Sequence, residues 1–451
     1  MKQLILSVLI SLFSSQILLA QESNTLRLSL QECMQMAVEK NINVKKALID
    51  QEKSGYKNNE TRATLLPKVN FSGSFQDNLV LPTTILPGEI IGKPGTSVGF
   101  QMGSQYTTSA SVGISQVLYN QTALTAVKLS KKSSELSILS VEKASEEIAA
   151  EVAKLYFLTL TTAEQRKLIE ENITRTEQLK AITKITVENG IGKQIDLDRV
   201  NVNLENYYSQ LSNTVATQDQ QMNMIKYILD IPLNQSILLT DEAKTILIEK
   251  NPTAISDFSN HIDIQLLESQ KDINNLNQKL IASGYLPTLS LSGSVAYQGM
   301  RNDFRNYFKE SSENKWYPNV GAGINLSIPL FDGFEKRSKS RQAKLDYKKS
   351  QETLENTREL LSMNYQNAIN NYQNNKSVVR RQQQNLELAV KVYDETTLRY
   401  REGLAAMSNL LQDEISLSNA QAGYLTALYN FKDAELKIMS LNGGIKDLIY
   451  K

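Results

Sequence analysis

LPKVNFSGSF at residues 66–75 and LPTLSLSGSV at residues 286–295 are two copies of one pattern. Each is a proline followed by strict alternation of apolar and small polar residues, with Ser-Gly-Ser inside it. The match continues outward. ISQVLYN at 114–120 answers LSIPLFD at 326–332, and each opens a polar stretch of about seventy residues without proline. Each stretch ends at a glycine, Gly190 in VENGIGKQIDL and Gly403 in YREGLAAMSNL. The offset between copies stays between 212 and 220 residues, so the chain is a tandem duplication of one strand-and-helix unit. The division is 1–20 for a leader, 21–240 for the first repeat and 241–451 for the second.

Residues 1–20 (MKQLILSVLISLFSSQILLA) have the layout of a secretory signal: Lys2, an apolar run over Leu4–Phe13, then Leu18 and Ala20 before a cleavage point. Lys2 lies in this leader, which leaves 48 basic against 48 acidic residues in the rest. That balance argues against nucleic acid as a partner. Cys33 is the only cysteine and His261 the only histidine, which excludes a disulfide framework and nearly excludes metal sites and nucleophile pairs built on those residues. No phosphate-cradling loop is present. The reading is a non-enzyme without cofactor, catalytic centre or metal.

Four strands show the alternation. Val69, Phe71, Gly73 and Phe75 alternate with Asn70, Ser72, Ser74 and Gln76; Ala110, Val112 and Ile114 alternate with Ser109, Ser111, Gly113 and Ser115. Leu289, Leu291, Gly293, Val295 and Tyr297 alternate with small polar residues, as do Val320, Ala322, Ile324, Leu326, Ile328 and Leu330. One apolar and one small polar face over about ten residues is the pattern of a membrane β-strand, with lipid against the apolar side. Tyr106, Tyr119, Tyr297, Trp316, Tyr317 and Phe331 fall near the strand ends, where interfacial aromatics belong. Leu81–Ser104 and Arg301–Trp316 read as exposed loops. A membrane barrel needs at least about eight strands, and open edges cannot face lipid. The pattern therefore requires several copies around one barrel.

Thr122–Val187 and Glu335–Glu402 contain neither proline nor glycine. As helices each would reach roughly 100 Å, with apolar residues at coiled-coil spacing. Each ends in a short turn and a returning helix, about Ile195–Leu229 and about Asn409–Leu441. Shorter helices, about Ser29–Leu66 and Ile262–Gly284, precede the first strand of each repeat.

With the LPxxxxSGS strand starts, SIPLFDGF at 327–334 and the YREG turn at 400–403 before LLQDEISLSNAQAGYLTALYNF, the chain resembles the TolC family of outer-membrane efflux proteins. The resemblance covers essentially the whole chain after the leader. It implies a mainly α fold with membrane β: a homotrimer forming one twelve-stranded barrel continued by an α-helical tunnel in the periplasm. The implied function is a passive exit duct for small molecules, drugs or metal ions. An inner-membrane pump of RND or ABC type would deliver them through a periplasmic adaptor docked at the hairpin tips. The outlet of a type I protein secretion system is the second reading, and a secreted coiled-coil structural or adhesive protein is the reading from another class.

The resemblance also implies site residues. The tip aspartate of the first hairpin falls on Asp196 and its tyrosine partner on Tyr400, where a hydrogen bond would hold the periplasmic gate. The acidic pair of the family constriction falls on Asn409 and Gln412, both neutral here, and the tip arginine falls on Ala405. Gly190, Gly192, Gly403 and Leu404 are the implied adaptor contacts, and the glycines also serve the turns themselves.

Overall fold

The structure, a computed structural model, describes residues 25–92, 94–242, 257–305, 307–309 and 315–450. The leader at 1–20 lies outside the described residues. So do residues 243–256, just after the repeat boundary, and part of the loop before Trp316.

In chain order the elements are β1 (Leu26–Leu28), α1 (Leu30–Lys40), α2 (Ile42–Ala63), β2 (Lys68–Asp77), β3 (Thr83–Pro87), β4 (Ser97–Gln101), β5 (Tyr106–Asn120), α3 (Gln121–Glu188), α4 (Gln194–Ile228), β6 (Ile237–Leu239), α5 (Ile262–Ser283), β7 (Thr288–Arg301), β8 (Trp316–Ser327), α6 (Glu335–Arg401), α7 (Met407–Leu441) and α8 (Ile445–Tyr450). A short 3-10 turn over Gly88–Ile91 separates β3 from β4. No described helix is long and apolar enough to cross a membrane.

Contacts divide the chain into two compact units, each drawing on both repeats. One takes Glu52–Leu136 and Ser269–Gln351. The other takes the chain up to Gln51, then Ser137–Glu268 and Glu352 onward.

The first of these holds an antiparallel sheet in the order β2-β5-β7-β8. The last strand of the first repeat therefore pairs with the first strand of the second, and β2 and β8 are open edges. Register decides the faces, because directly opposed residues share one. Phe71 faces Val112, Val112 faces Val295 and Val295 faces Val320. Val69, Ile114, Gly293 and Ala322 form the next row. The small polar sets line up on the other face, where Ser72 meets Ser111 at 2.7 Å and Ser74 meets Ser109 at 2.8 Å. Four separate alternations thus become one apolar face and one polar face.

Three strand expectations change. The fourth strand ends at Ser327, so Ile328 and Leu330 lie beyond it. Ser327 is already opposite Thr288, the first residue of β7, and Pro329 has no N–H to offer. The strand extends instead to Trp316. The loop Leu81–Ser104 carries the β3–β4 hairpin, with Thr83 opposite Gln101. β5 reaches Asn120 past an irregularity between Val117 and Tyr119.

Aromatic rings collect at the loop end of this sheet. Phe75, Tyr106, Phe304 and Tyr307 lie with centroids 5.5–6.4 Å apart. The Arg301 guanidinium sits 5.6 Å from the Tyr307 ring and 6.0 Å from Trp316. At the helix end Phe331 packs edge-on to Phe334. Rings at both ends fit the two interfaces of a bilayer.

The other unit is helical. The expected single helix from Ser29 to Leu66 is two helices, broken at Asn41, whose backbone is extended (φ −60°, ψ 137°). The Asn41 amide explains the break: Oδ1 accepts from the Asn43 N–H at 2.8 Å and Nδ2 donates to the Ile228 carbonyl at 3.2 Å. Such local bonds compete with helix. Upstream, Ser29 and Glu32 close a capping box. The parallel pair β1–β6, three residues a strand, is an element that the periodicity does not reveal. The main core packs Tyr156, Phe157 and Val152 of α3 against Met34 of α1, Ile225 of α4 and Leu425 and Leu428 of α7.

The long helices run as their composition requires, α3 over 68 residues and α6 over 67. Both returning helices have 35 residues, and α7 begins at Met407, two residues before the expected Asn409. That start restores the repeat offset, since Gln194 and Met407 are 213 apart, like Gly190 and Gly403.

Candidate functional site

Both hairpins turn by the same chemistry. After α3, the Gly190 N–H donates to the Val187 carbonyl at 2.9 Å and the Ile191 N–H to Thr186 at 3.0 Å. After α6, the Gly403 N–H donates to Tyr400 at 3.0 Å and the Leu404 N–H to Arg399 at 2.8 Å. This double bonding is the Schellman motif, which closes orphan carbonyls at a helix end. Its pivot is left-handed, with φ +73° at Gly190 and +77° at Gly403. A Cβ would meet nothing within 4 Å at either site, so Gly190→Ala and Gly403→Ala should cost only the backbone term, roughly 1 kcal/mol each. Thermal or denaturant unfolding of the two variants checks this. Gly192 differs: a Cβ there would lie 2.9 Å from Thr186 Oγ1.

The turns present apolar side chains to solvent. Ile191 is 83% exposed and Leu404 is 73% exposed. They occupy the same position after each pivot glycine. Ile191 is the counterpart of Leu404 that motif reading passed over, and the repeat offset was the signal for it. Beside the first turn a groove of about 330 Å³ is lined by Ile195, Val202, Leu411 and Ile415.

The implied gate pair is not joined within the chain. Asp196 lies in the first turn of α4, with Oδ1 accepting from Arg199 Nη1 at 3.3 Å. An acid there is favoured by the helix dipole in any case. The Tyr400 hydroxyl lies 3.5 Å from Thr183 Oγ1, so it links α6 to α3. Asn409 and Gln412 are both exposed and share one face of α7 with Ser416 and Asn419. Asp413 is turned away from that face and accepts from Thr396 Oγ1 at 2.6 Å.

The residues that join the two hairpins lie deeper. Glu414 on α7 is 3% exposed. Its Oε1 is 2.7 Å from Thr176 Oγ1 on α3, and its Oε2 accepts from Asn203 Nδ2 on α4 at 2.7 Å. Two turns further along α7, Gln421 Oε1 accepts from Asn172 Nδ2 at 2.9 Å, both buried. Arg175 stands 5.9 Å over the Tyr393 ring. Burial pushes the Glu414 carboxyl above its ordinary pKa, against hydrogen bonds from Thr176, Tyr207 and Asn203 and the nearby Arg175 cation. Among the described residues, no cluster of three or more His, Cys, Asp or Glu side chains is placed to hold a metal ion.

An open-edged sheet with one continuous apolar face, in one chain with two hairpins of very long helices, defines a TolC-like chain. The sequence profile described as outer membrane efflux protein matches residues 33–229 and 259–444, so the chain belongs to that family and its place is the outer membrane. It is 22% identical over 437 residues to outer membrane protein TolC of Salmonella enteritidis, covering 93% of this chain and 82% of that one. Two solved structures share the fold. CusC superposes with a TM-score of 0.74 at 16% identity over 92% of each chain. The open state of the Neisseria gonorrhoeae MtrE outer membrane channel gives 0.73 at 19% identity, covering 92% of this chain and 89% of that one. The family assignment sets aside the structural or adhesive reading.

Proposed function

We propose that three copies of this chain close one twelve-stranded barrel and one helical tunnel, the passive outlet of a tripartite export system for small molecules, drugs or metal ions. The observation that carries the oligomer is the sheet itself: four strands in register, an unbroken apolar face and two edges, β2 and β8, without a partner strand among the described residues; the family resemblance selects three copies. Edge strands cannot stay open in lipid, and β8 of one copy meeting β2 of the next closes them. The chain supplies no energy. An inner-membrane pump does so, and a periplasmic adaptor bridges it to this outlet.

The adaptor docks at the turns through Gly190, Gly192, Gly403 and Leu404, with Ile191 added. Exposed apolar side chains at two repeated tips favour that assignment over turn chemistry alone. The gate lies just beyond, where Asp196, Tyr400, Asn409 and Gln412 surround the closed end. Asp196 and Tyr400 act through contacts between neighbouring copies, since each already has its own partner within one.

Purified chain should migrate as a heat-modifiable trimer and conduct ions in planar bilayers; a monomer without conductance would refute the reading. Ile191→Glu with Leu404→Glu should leave that conductance intact and abolish both adaptor co-purification and export-dependent tolerance in cells. A deletion strain that loses secretion of a protein but keeps its drug and metal tolerance would favour the type I secretion outlet instead.

A further inference from the structure

We infer that Glu414 works as a protonated clasp between the two helical hairpins, and that losing its proton loosens them. This rests on the channel reading above, because the hairpins that it joins are those of the proposed gate. Thr176 Oγ1 lies 2.8 Å from the Asn172 carbonyl oxygen and 2.7 Å from Glu414 Oε1. Both are hydrogen-bond distances, and a threonine hydroxyl has one proton to donate. With Glu414 ionised, that proton serves one oxygen and leaves a second oxygen pressed against lone pairs. With Glu414 neutral, its O–H donates to Thr176 Oγ1, the Thr176 hydroxyl donates to the Asn172 carbonyl, and Oε2 still accepts from Asn203. Every polar atom of the chain of contacts is then satisfied by one proton taken from solvent.

The surroundings agree. Thr176 is fully buried and Glu414 nearly so, which disfavours a bare charge. The titratable and charged groups facing the carboxyl are Arg175 from α3, Tyr207 from α4 and Tyr393 from α6. Against burial, Arg175 favours the ionised form by its charge, and Tyr207 and Asn203 favour it by hydrogen bonding. Arg175 is also engaged with Asn172 Oδ1 and with the Tyr393 ring, so it is not a dedicated counterion.

The sign follows from linkage. A carboxyl whose folded pKa is raised binds more proton in the closed seam than in the opened, hydrated one. Its contribution is fully present below the ordinary carboxyl range and is lost as pH rises through the raised value. The seam therefore loosens on the alkaline side. A buried polar group at a packed position between helices also fixes their register. Here the register is that of α7 against α3 and α4.

The test uses the full-length trimer in planar bilayers, with pH stepped upward from the mildly acidic side. The wild-type open probability should rise about fivefold or more, the lower end of ordinary coupling between sites. Glu414→Gln, which donates from its amide in place of the acid O–H, should hold the low-pH level throughout. Glu414→Ala should show the high level at every pH. An infrared difference spectrum should show a protonated carboxyl band in wild type at low pH, lost in Glu414→Gln. Glu414→Gln trimers that keep the wild-type pH response, or a wild type without the carboxyl band, would overturn the clasp. Failure of every trimer to conduct would instead overturn the channel reading.

Discussion

Val295→Arg should abolish trimers in the outer membrane, while Ser294→Arg, one residue away, should leave them in place. Val295 lies in the row Phe71–Val112–Val295–Val320, near the middle of the sheet and on its apolar face. An arginine facing lipid at the bilayer midplane costs about 2–4 kcal/mol in a barrel. Three copies would carry that cost three times, against a total stability typically near 5–15 kcal/mol for a domain. Ser294 pairs with Gly113 and Gly321 on the other face, where small residues leave room for a long side chain. Its replacement should lower cation conductance through added positive charge in the lumen. Heat-modifiable trimers in membrane fractions check the first effect and single-channel current the second. The opposite pattern would mean that the faces are exchanged.

The contrast works because alternation is a local signal that register makes global. A period of two assigns each residue to a face without knowing the partner strand, and the pairing then aligns the faces. The long helices were legible for a similar reason. Stretches of about seventy residues without Pro or Gly have nothing to stop them, and the expected ends fall within a residue of those found. What escaped has no period. β1 and β6 have three residues each and exist only because two segments some 210 residues apart in sequence meet. The break at Asn41 depends on its amide reaching the Ile228 carbonyl, a contact that no window of sequence contains.

Glu414 escaped for a different reason. In a helix with many charged and amide residues, one more glutamate looks like a solvated surface. The signal was present nonetheless. Met407, Glu414, Gln421, Leu428 and Glu435 recur every seven residues and are all buried, interleaved with Leu410, Leu417, Tyr424 and Ile438. Polar residues on heptad core positions belong in the seam, and the pairing of such residues across helices specifies which helix packs where. The candidate site was thus half legible: the turns and their glycines could be read locally, whereas the seam that joins the hairpins required their packing.

Asn409→Asp combined with Gln412→Asp should turn a weakly selective tip into a cation-selective one. The two side chains are exposed, three residues apart on α7, on a face that continues through Ser416 and Asn419 without charge. In a trimer the double substitution adds six carboxylates around one axis. Charged, narrow clefts raise the local concentration of counter-ions by about tenfold or more, so the cation-to-anion permeability ratio should rise by that order and fall again at high salt. Divalent cations, held by paired carboxylates, should then block the current in the variant and leave the wild type nearly unaffected. Reversal potentials in salt gradients read the selectivity, and titration with magnesium reads the block. Stability should change little, because neither side chain is packed. If selectivity is unmoved while trimers still conduct, this face of α7 does not line the constriction. The narrowest point would then lie at the other returning helix, where Asp196 already supplies a carboxylate at the matching position six residues after Gly190.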